Sequence, residues 1–255
     1  MLDATDQKIA VVTGGALGIG MAIATRLAQD GLRVLVSDLD EAKAAGTAAA
    51  LRDKGLSAEP LGLDVSSAES IAAAFAKVKE RHGRCDVLVN NAGVAKTFPF
   101  LEFPLDNFLT TMAVNVTGPL LCSQAAARLM APRRWGRIIN IASVAGVRSV
   151  GSGRTAYGTS KAALIGLTRQ IASELAELGI TANAVAPGPV DTPMTKVLHS
   201  DEFRGAYTAA IPMKRYGSPE EIAALVSFLA SENSDYITGA VIPVDGGFLA
   251  AGALG

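Results

Sequence analysis

The stretch that most constrains this chain is Thr13-Gly-Gly-Ala-Leu-Gly-Ile-Gly20. It sits between an apolar run of strand length, Ile9 to Thr13, and a helical pattern with Ile23, Leu27 and Ala28 on one side. Glycines at 14, 18 and 20 let the backbone turn tightly and approach a pyrophosphate, while the helix start offers free N–H groups at its positive dipole end. A strand, a glycine turn and a helix in this order open a dinucleotide-binding fold. Gly14, Leu17, Gly18, Ile19 and Gly20 are the residues expected against the cofactor.

The alternation continues along the chain. A second strand, Arg33 to Ser37, ends at Asp38, eighteen residues after Gly20, where a dinucleotide fold places an acid to accept hydrogen bonds from the adenosine ribose. Its carboxylate repels a 2′-phosphate, and Leu17 stands where an arginine or lysine could have received one, so the expected cofactor is NAD rather than NADP. Asp38 also suits the start of the next helix, and the two roles are compatible. A helix from about Glu41 to Lys54, a stop at Gly55 and a third strand, Ala58 to Leu63, lead to Asp64 and Val65. The Ser-Ser-Ala-Glu run that follows resembles a capping box for a helix carrying Ile71, Phe75 and Val78. Asp64 is either a strand-end cap or an acceptor for the adenine edge beside Val65. The fourth strand, from Cys85, ends in two amides: Asn90 reads as a tie between loops, and Asn91, Ala92 and Gly93 as backbone passing the cofactor. The pattern predicts an α/β fold, a doubly wound Rossmann-type sandwich with seven parallel strands and helices on both faces.

Leu105 to Met130 reads as a long helix interrupted near Gly118-Pro119, with Asn115 inside it. Phe108, Met112, Val116, Leu120, Leu121, Leu129 and Met130 form a wider apolar stripe than one sheet face requires. The helix after Tyr157 has the same excess in Leu164, Ile165, Leu167, Ile171 and Leu175, so these two helices are expected to form a homodimer interface. The fifth strand, Gly136 to Ile141, leads to Ser143 on the ligand-binding edge. Neither His82 nor His199 is placed to act as its base, which makes Ser143 a hydrogen-bond donor to substrate rather than a nucleophile.

Thr155-Ala-Tyr-Gly-Thr-Ser-Lys161 then sets a phenol and an ammonium four residues apart on one helical face. A phenol of pKa about 10 is inert near neutrality; a fixed cation in a closed site, helped by a cationic cofactor ring, lowers that value and turns Tyr157 into a general acid or base. Strand six, Thr181 to Val185, runs into a rigid turn at the ligand edge, Ala186 to Thr192, containing Pro187 and Gly188. Residues 193–212, with short helices near Thr195 to Leu198 and Glu202 to Thr208, read as a substrate lid. A helix opening at Gly217-Ser-Pro-Glu-Glu and a seventh strand, Ala240 to Val244, complete the pattern.

With 255 residues, 49% hydrophobic, the chain can bury one large core and is expected to be a single domain over 1–255. A net charge of −1 with scattered basic residues gives no footprint for nucleic acid or an anionic membrane. The start has no basic segment followed by an apolar one, and no apolar run nears the roughly 20 residues that span a bilayer, so a cytoplasmic protein is expected. Cys85 and Cys122 have no metal-ligand spacing; they are expected to be reduced core thiols, and no metal is expected.

The order and spacing of these motifs resemble the classical short-chain dehydrogenase/reductase family over nearly the whole chain. The resemblance rests on Thr13 to Gly20, Asn-Asn-Ala-Gly at 90–93, Asn115, Ser143, Tyr157 with Lys161, and Pro187-Gly188. Two C-terminal segments, Gly217-Ser-Pro-Glu-Glu-Ile and Tyr236-Ile-Thr-Gly with Val-Asp-Gly-Gly247, are similar to bacterial members. The resemblance implies that Tyr157 exchanges the substrate's hydroxyl proton, Ser143 holds the substrate oxygen, and Lys161 binds the nicotinamide ribose and lowers the tyrosine's pKa. It implies that Asn115 holds a water linking Lys161 to solvent. It places Asp38 and Leu39 on the adenosine ribose, Asp64 and Val65 on the adenine, and Val190 with Thr192 on the nicotinamide carboxamide. Family members are commonly homotetramers.

The expected substrate is a small secondary alcohol, sugar or polyol oxidised with NAD. The alternatives are a 3-oxoacyl carrier reductase, which Asp38 and Leu17 oppose through the usual NADPH preference of that class, and a nucleotide-sensing protein without chemistry. Met194, Val197 and Leu198, with Val94, Val144 and Val147, suggest an apolar pocket. Arg148 or Arg154, if turned inward, could receive a carboxylate or a polyhydroxylated substrate.

Overall fold

In the computed structural model, which describes residues 7–198 and 200–251, seven strands form one parallel sheet in the order β3-β2-β1-β4-β5-β6-β7. They are β1 (Ile9–Thr13), β2 (Arg33–Asp38), β3 (Ala58–Gly62), β4 (Val87–Asn90), β5 (Gly136–Ile141), β6 (Ile180–Pro187) and β7 (Val241–Val244). The chain winds outward from β1 to β3, then returns to the other side of β1 and winds outward again to β7. The crevice at that reversal, above the carboxyl ends of β1 and β4, is where such sheets bind ligands. Val12 at its floor lies beside Val36 on one side and Val89 on the other.

The central strand β1 is apolar up to Thr13 and buried along its length because both of its faces are covered. Ala10 and Val12 point into one core layer with Ile23 and Leu27 of α1 (Gly18–Gln29), Ala48 and Leu51 of α2 (Glu41–Arg52), and Val226 and Leu229 of α9 (Pro219–Ala230). Ile9 and Val11 point the other way, to Ile71 and Phe75 of α3 (Ala68–His82), Ala126 and Met130 of α5 (Gly118–Met130), and Ile171 of α6 (Thr155–Leu175). Ile23 and Ile138, on opposite faces, are fully buried; each such side chain contributes about 1.5–3 kcal/mol through the water it leaves.

Three local expectations are corrected. The cap of α3 is Ser67, which accepts from Ser70 N (3.2 Å), and the Ser70 hydroxyl accepts from Asp64 N (3.0 Å), so no serine–glutamate box forms. The long helix does not break at Gly118-Pro119. After α4 (Leu105–Met112) it widens into a π turn over Ala113–Thr117 and continues as α5. Gly118 is instead a contact: a Cβ there would lie 2.5 Å from the Val65 carbonyl, so only glycine lets the helix touch the loop after β3. Finally, the apolar excess of α6 is absorbed by its own chain. Leu164, Ile165 and Ile171 are buried, and Leu167 and Leu175 pack against the core. The α4–α5 side, by contrast, leaves an open apolar face, with Leu105, Leu109 and Leu120 exposed and Phe108, Met112 and Val116 half-buried.

Residues 193–212 carry two short helices, α7 (Pro193–Leu198) and α8 (Asp201–Ala210). Phe203 packs on Tyr207 at 4.8 Å between ring centroids, and Tyr207 stacks on Phe248 at 5.7 Å, which ties α8 to the C-terminal turn. Cys85 and Cys122 are free and buried, and burial pushes both thiols up, Cys122 to about 12. Among the described residues no helix is long and apolar enough to cross a membrane, and no cluster of His, Cys, Asp or Glu could hold a metal ion.

Candidate active site

The end of β1 and the start of α1 form a cradle of backbone. Gly14 has φ +59°, and a Cβ on Gly20 would lie 2.0 Å from the Gly14 carbonyl, so the turn closes only with glycine at both places. The N-cap of α1, Leu17, contributes no side-chain hydrogen bond, and the first turn contains no acid. Its amide groups and dipole are therefore available to an anion, and the residues present fit the pyrophosphate of a dinucleotide. Asn91 fixes the turn from β4: its Nδ2 donates to the carbonyls of Thr13 and Gly14, both at 3.0 Å, while Thr13 Oγ1 accepts from Asn91 N and Ala92 N. Asn90, as expected, is buried and ties β4 to its neighbours through Asn140 and Ser123.

Asp38, at the end of β2, accepts from Ala16 N (3.3 Å) and Asp40 N (3.2 Å), so its carboxylate faces the glycine turn and is fixed by it. Leu39 is exposed beside it. Of the two roles open to Asp64, the side-chain contacts are those of the strand-end cap: Oδ1 accepts from Ser66 N (2.8 Å) and Ser66 Oγ (2.6 Å). Val65 is buried.

The cradle continues into a cavity of about 390 Å³ that reaches Ser143 and Tyr157. Gly14, Leu17, Gly18, Ile19, Gly20, Asn91, Ala92, Gly93, Ser143, Tyr157, Lys161, Pro187, Gly188, Val190 and Thr192 all line it. Ser143 Oγ accepts from Ala145 N (3.1 Å), which sets the hydroxyl at the head of a short turn. That turn rests on α6, because a Cβ on Gly146 would lie 2.6 Å from the Lys161 backbone. One helical turn after Tyr157, Lys161 is buried, donates to the Ile141 carbonyl at 2.8 Å and sits 5.7 Å from the centre of the Tyr157 ring. Asn115 in the π turn accepts from Val94 N (2.9 Å) and donates to Val94 O (3.0 Å) and Ser160 Oγ (2.9 Å). A Cβ on Gly93 would lie 3.3 Å from Asn115 Oδ1 and 3.5 Å from Lys161 Nζ, so Gly93 keeps the space between amide and ammonium open.

The electrostatics depart from expectation. Burial is the largest influence on Tyr157 and raises its pKa; hydrogen bonding with Ser143 and the charge of Arg154 act in the lowering direction. Burial also brings Lys161 down to about 8. In the protein alone, then, desolvation outweighs the influences that favour the phenolate, and the cation that opposes it is Arg154, across the cavity wall.

Several lining residues were not foreseen. Thr195 Oγ1 donates to Val190 O (2.7 Å) and accepts from Thr192 N (3.0 Å), fastening α7 to the turn after β6. Lys96, Thr97, Val150 and Tyr207 also line the cavity. They lie in loops or on α8, where no sequence periodicity marks them. Of the six apolar pocket candidates, Val94 and Val144 line the cavity, and Val147 is exposed outside it. The side chains of Met194, Val197 and Leu198, and all of His199, lie outside the described residues. Arg154 lines the cavity, whereas Arg148 lies over the Phe248 ring at 4.7 Å.

Comparisons with known proteins agree with this geometry. The profile of the family described as Enoyl-(Acyl carrier protein) reductase matches residues 14–249. The 3-oxoacyl-[acyl-carrier-protein] reductase FabG of Aquifex aeolicus is 43% identical over 241 residues, spanning 94% of this chain and 96% of its own. MabA of Mycobacterium tuberculosis, of the same described activity, is 43% identical over 241 residues, 94% of this chain and 92% of its own. Among solved structures, gox2181 superposes with a TM-score of 0.94 at 37% identity over 96% of this chain and 97% of its own. A gluconate 5-dehydrogenase from Burkholderia cenocepacia, solved with NADP and tartrate, gives 0.92 at 34% identity over 98% and 100%.

Proposed function

The chain is an oxidoreductase of the short-chain dehydrogenase/reductase family, and on that premise we propose that it interconverts a ketone and a secondary alcohol with NAD, Tyr157 carrying the proton. The observation that carries this reading is the meeting of Ser143, Tyr157 and Lys161 with the glycine cradle in one cavity. The cradle holds the pyrophosphate. Asp38 and Leu39 take the adenosine ribose, Asp64 and Val65 flank the adenine, and Lys161 takes the nicotinamide ribose. The turn from Pro187 to Thr192 faces the carboxamide. When bound, the dinucleotide supplies the acceptor or donor of hydride.

The chain's own part is the proton and the oxygen. In oxidation the substrate O–H proton passes to Tyr157 as its carbon loses hydride, and in reduction Tyr157 returns it. Ser143 holds the reacting oxygen throughout. Asn115, fixed to Val94 and Ser160, keeps a path open between Lys161 and solvent. The positively charged nicotinamide ring of the oxidised cofactor would act on the buried phenol in the lowering direction, against desolvation.

A small neutral alcohol, sugar or polyol is less well supported as substrate than a 3-oxoacyl compound, because the curated relatives quoted above are named for that activity. A hydroxy acid is the second reading, favoured by the gluconate dehydrogenase likeness; the fixed Asp38 carboxylate bears on the cofactor, opposing a 2′-phosphate, and not on the choice of acid. Residues 193–212 act as the lid, and the open α4–α5 face forms the contact of a homotetramer. The experiment is a panel of 3-oxoacyl thioesters, hydroxy acids, sugars and polyols assayed with both cofactors. Tyr157→Phe is expected to lower kcat by at least about a thousandfold, within the range for loss of a general acid or base, with NAD affinity within about threefold of the parent. Retained turnover, or lost NAD binding, counts against the proton role.

A further inference from the structure

Phe203 and Tyr207 stand one helical turn apart on α8, and Ile211, just past its end, continues their stripe. The two rings are half-buried and Ile211 is buried. The stripe packs on the C-terminal turn, and that turn is fixed by its own bonds. Asp245 accepts from Gly247 N (2.9 Å) and Leu249 N (2.8 Å), and Met213 N donates to Gly246 O (3.2 Å). Gly246, at φ +63°, has to be glycine, because a Cβ on it would also lie 2.8 Å from Ile211 Cγ2. The turn holds Phe248 buried, with its ring stacked on Tyr207 at 28° between the planes, and Phe203 packs on Tyr207 at 56°.

Each end of this aromatic row carries an arginine, and both arginines come from the loop that leads into α6. Arg154 lies 5.5 Å from the centre of the Phe203 ring, and Arg148 lies 4.7 Å from that of Phe248. Paired rings attract one another, and so do a cation and a ring face, so the loop clasps α8 and the C-terminal turn together. The middle member of the row, Tyr207, lines the cavity, whereas Phe203, Phe248 and Arg148 do not. Tyr207 and Tyr157 pack against the same apolar cluster, whose Val144 and Val150 line the cavity as well. A substituent on the reacting carbon therefore shares its compartment with the Tyr207 ring. Held by two aromatic neighbours, that ring does not swing aside, and a close-packed wall yields little to a longer chain.

We propose that the Tyr207 ring, clasped in its row between Arg154 and Arg148, is the size-selecting wall of the substrate compartment and admits short-chain oxo or hydroxy compounds over long-chain ones. This rests on the reading that Ser143 and Tyr157 hold the reacting oxygen, and it adds the length of the group that the reacting carbon carries. Tyr207 acts through its ring, and its hydroxyl has no part in the boundary. Arg148, outside the cavity on Phe248, is a positioning residue that acts through that ring.

The test uses 3-hydroxybutanoate, 3-hydroxyhexanoate and 3-hydroxydecanoate, as free acids and as N-acetylcysteamine thioesters, with NAD and NADP. In whichever class turns over, the parent's kcat/KM is expected to fall from the butanoyl to the decanoyl member. Tyr207→Ala is expected to raise the decanoyl-to-butanoyl ratio by about 10- to 200-fold, the range for a methylene that an apolar pocket admits or refuses. Where Tyr207→Ala does not fold, Tyr207→Leu, which keeps an apolar side chain but no ring, is read in its place. Tyr207→Phe keeps the parent's ratio. Arg148→Gln moves the ratio part of the way toward that of Tyr207→Ala, a change that lost stability alone does not produce. A parent that favours the decanoyl member overturns the proposal, as does a ratio unmoved by loss of the ring; a ratio unmoved in Arg148→Gln overturns the clasp. If nothing turns over, calorimetric titration of the butanoyl and decanoyl members into the NAD-loaded Tyr157→Phe protein, with and without Tyr207→Ala, separates the two readings. Tighter binding of the short member that disappears with the ring upholds the wall while the assigned chemistry fails. Equal binding, tighter binding of the long member, or binding of neither removes the wall.

Discussion

Tyr157 and Lys161 lie in the same buried pocket, and each is pushed by desolvation toward its neutral form: the phenol up, the ammonium down to about 8. This has a measurable consequence for stability. Lys161 is charged in both folded and unfolded states below pH 8. Between about 8 and its ordinary 10.5 the folded protein releases the proton while the unfolded chain keeps it, so the cost of burying the charge is relieved as pH rises through that window. Lys161→Met is therefore expected to gain stability relative to the parent at pH 7, with the gain shrinking above pH 8; thermal melts of the ligand-free proteins at a series of pH values measure it. Asp38 offers a second residue-scale prediction. Asp38→Ala should narrow the preference for NAD over NADP, read from the ratio of kcat/KM values. Because the carboxylate also accepts from Ala16 N and Asp40 N, the variant should also lose about 1 kcal/mol of stability.

The elements place these groups by local devices with separate signatures. The π turn at Ala113–Thr117 turns Asn115 inward, where it grips both backbone groups of Val94 and so positions the loop that carries Lys96. At the other end of the chain α9 begins with a capping box: Ser218 accepts from Glu221 N, and the Glu221 carboxylate accepts from Ser218 N (2.8 Å) and from Arg215 (2.7 Å). The Arg215 hydrogen bond is the main reason Glu221 is held down at about 2. Its contribution is present above the ordinary value of 4.5 and is lost as pH falls through about 2. Glu221→Gln should thus melt below the parent at pH 7, the difference vanishing between pH 4.5 and 2. With the Glu221 side chain 40% exposed, solvent screening keeps that difference small. Ser218→Ala should cost about 1 kcal/mol, a drop of about 2–4 °C for a chain of this size.

At the scale of the whole molecule, the reversal of strand order at β1 opens a crevice, and the loops after β1, β4, β5 and β6 converge on it. The α4–α5 surface leaves Leu105, Leu109 and Leu120 exposed. If it joins copies of the chain, Leu105→Glu with Leu109→Glu should lower the mass seen in sedimentation, and an unchanged mass would place the contact elsewhere. The glycine turn, the strand succession and the Tyr157–Lys161 spacing were legible from the amino-acid order. Each depends on a period of two or of 3.6, or on a conformation only glycine adopts, and such properties are settled within one element. The break near Gly118 was misread because glycine signals two things, a loose backbone and a close approach, and only the Val65 carbonyl on the other side distinguishes them. Three matters belonged to the tertiary structure alone: the direction of the Tyr157 shift, the choice of Arg154 over Arg148 as the arginine in the cavity, and the fastening of α7 by Thr195. Desolvation and contact are functions of distance through space, and residues far apart along the chain carry no mark of it until the loops are brought together.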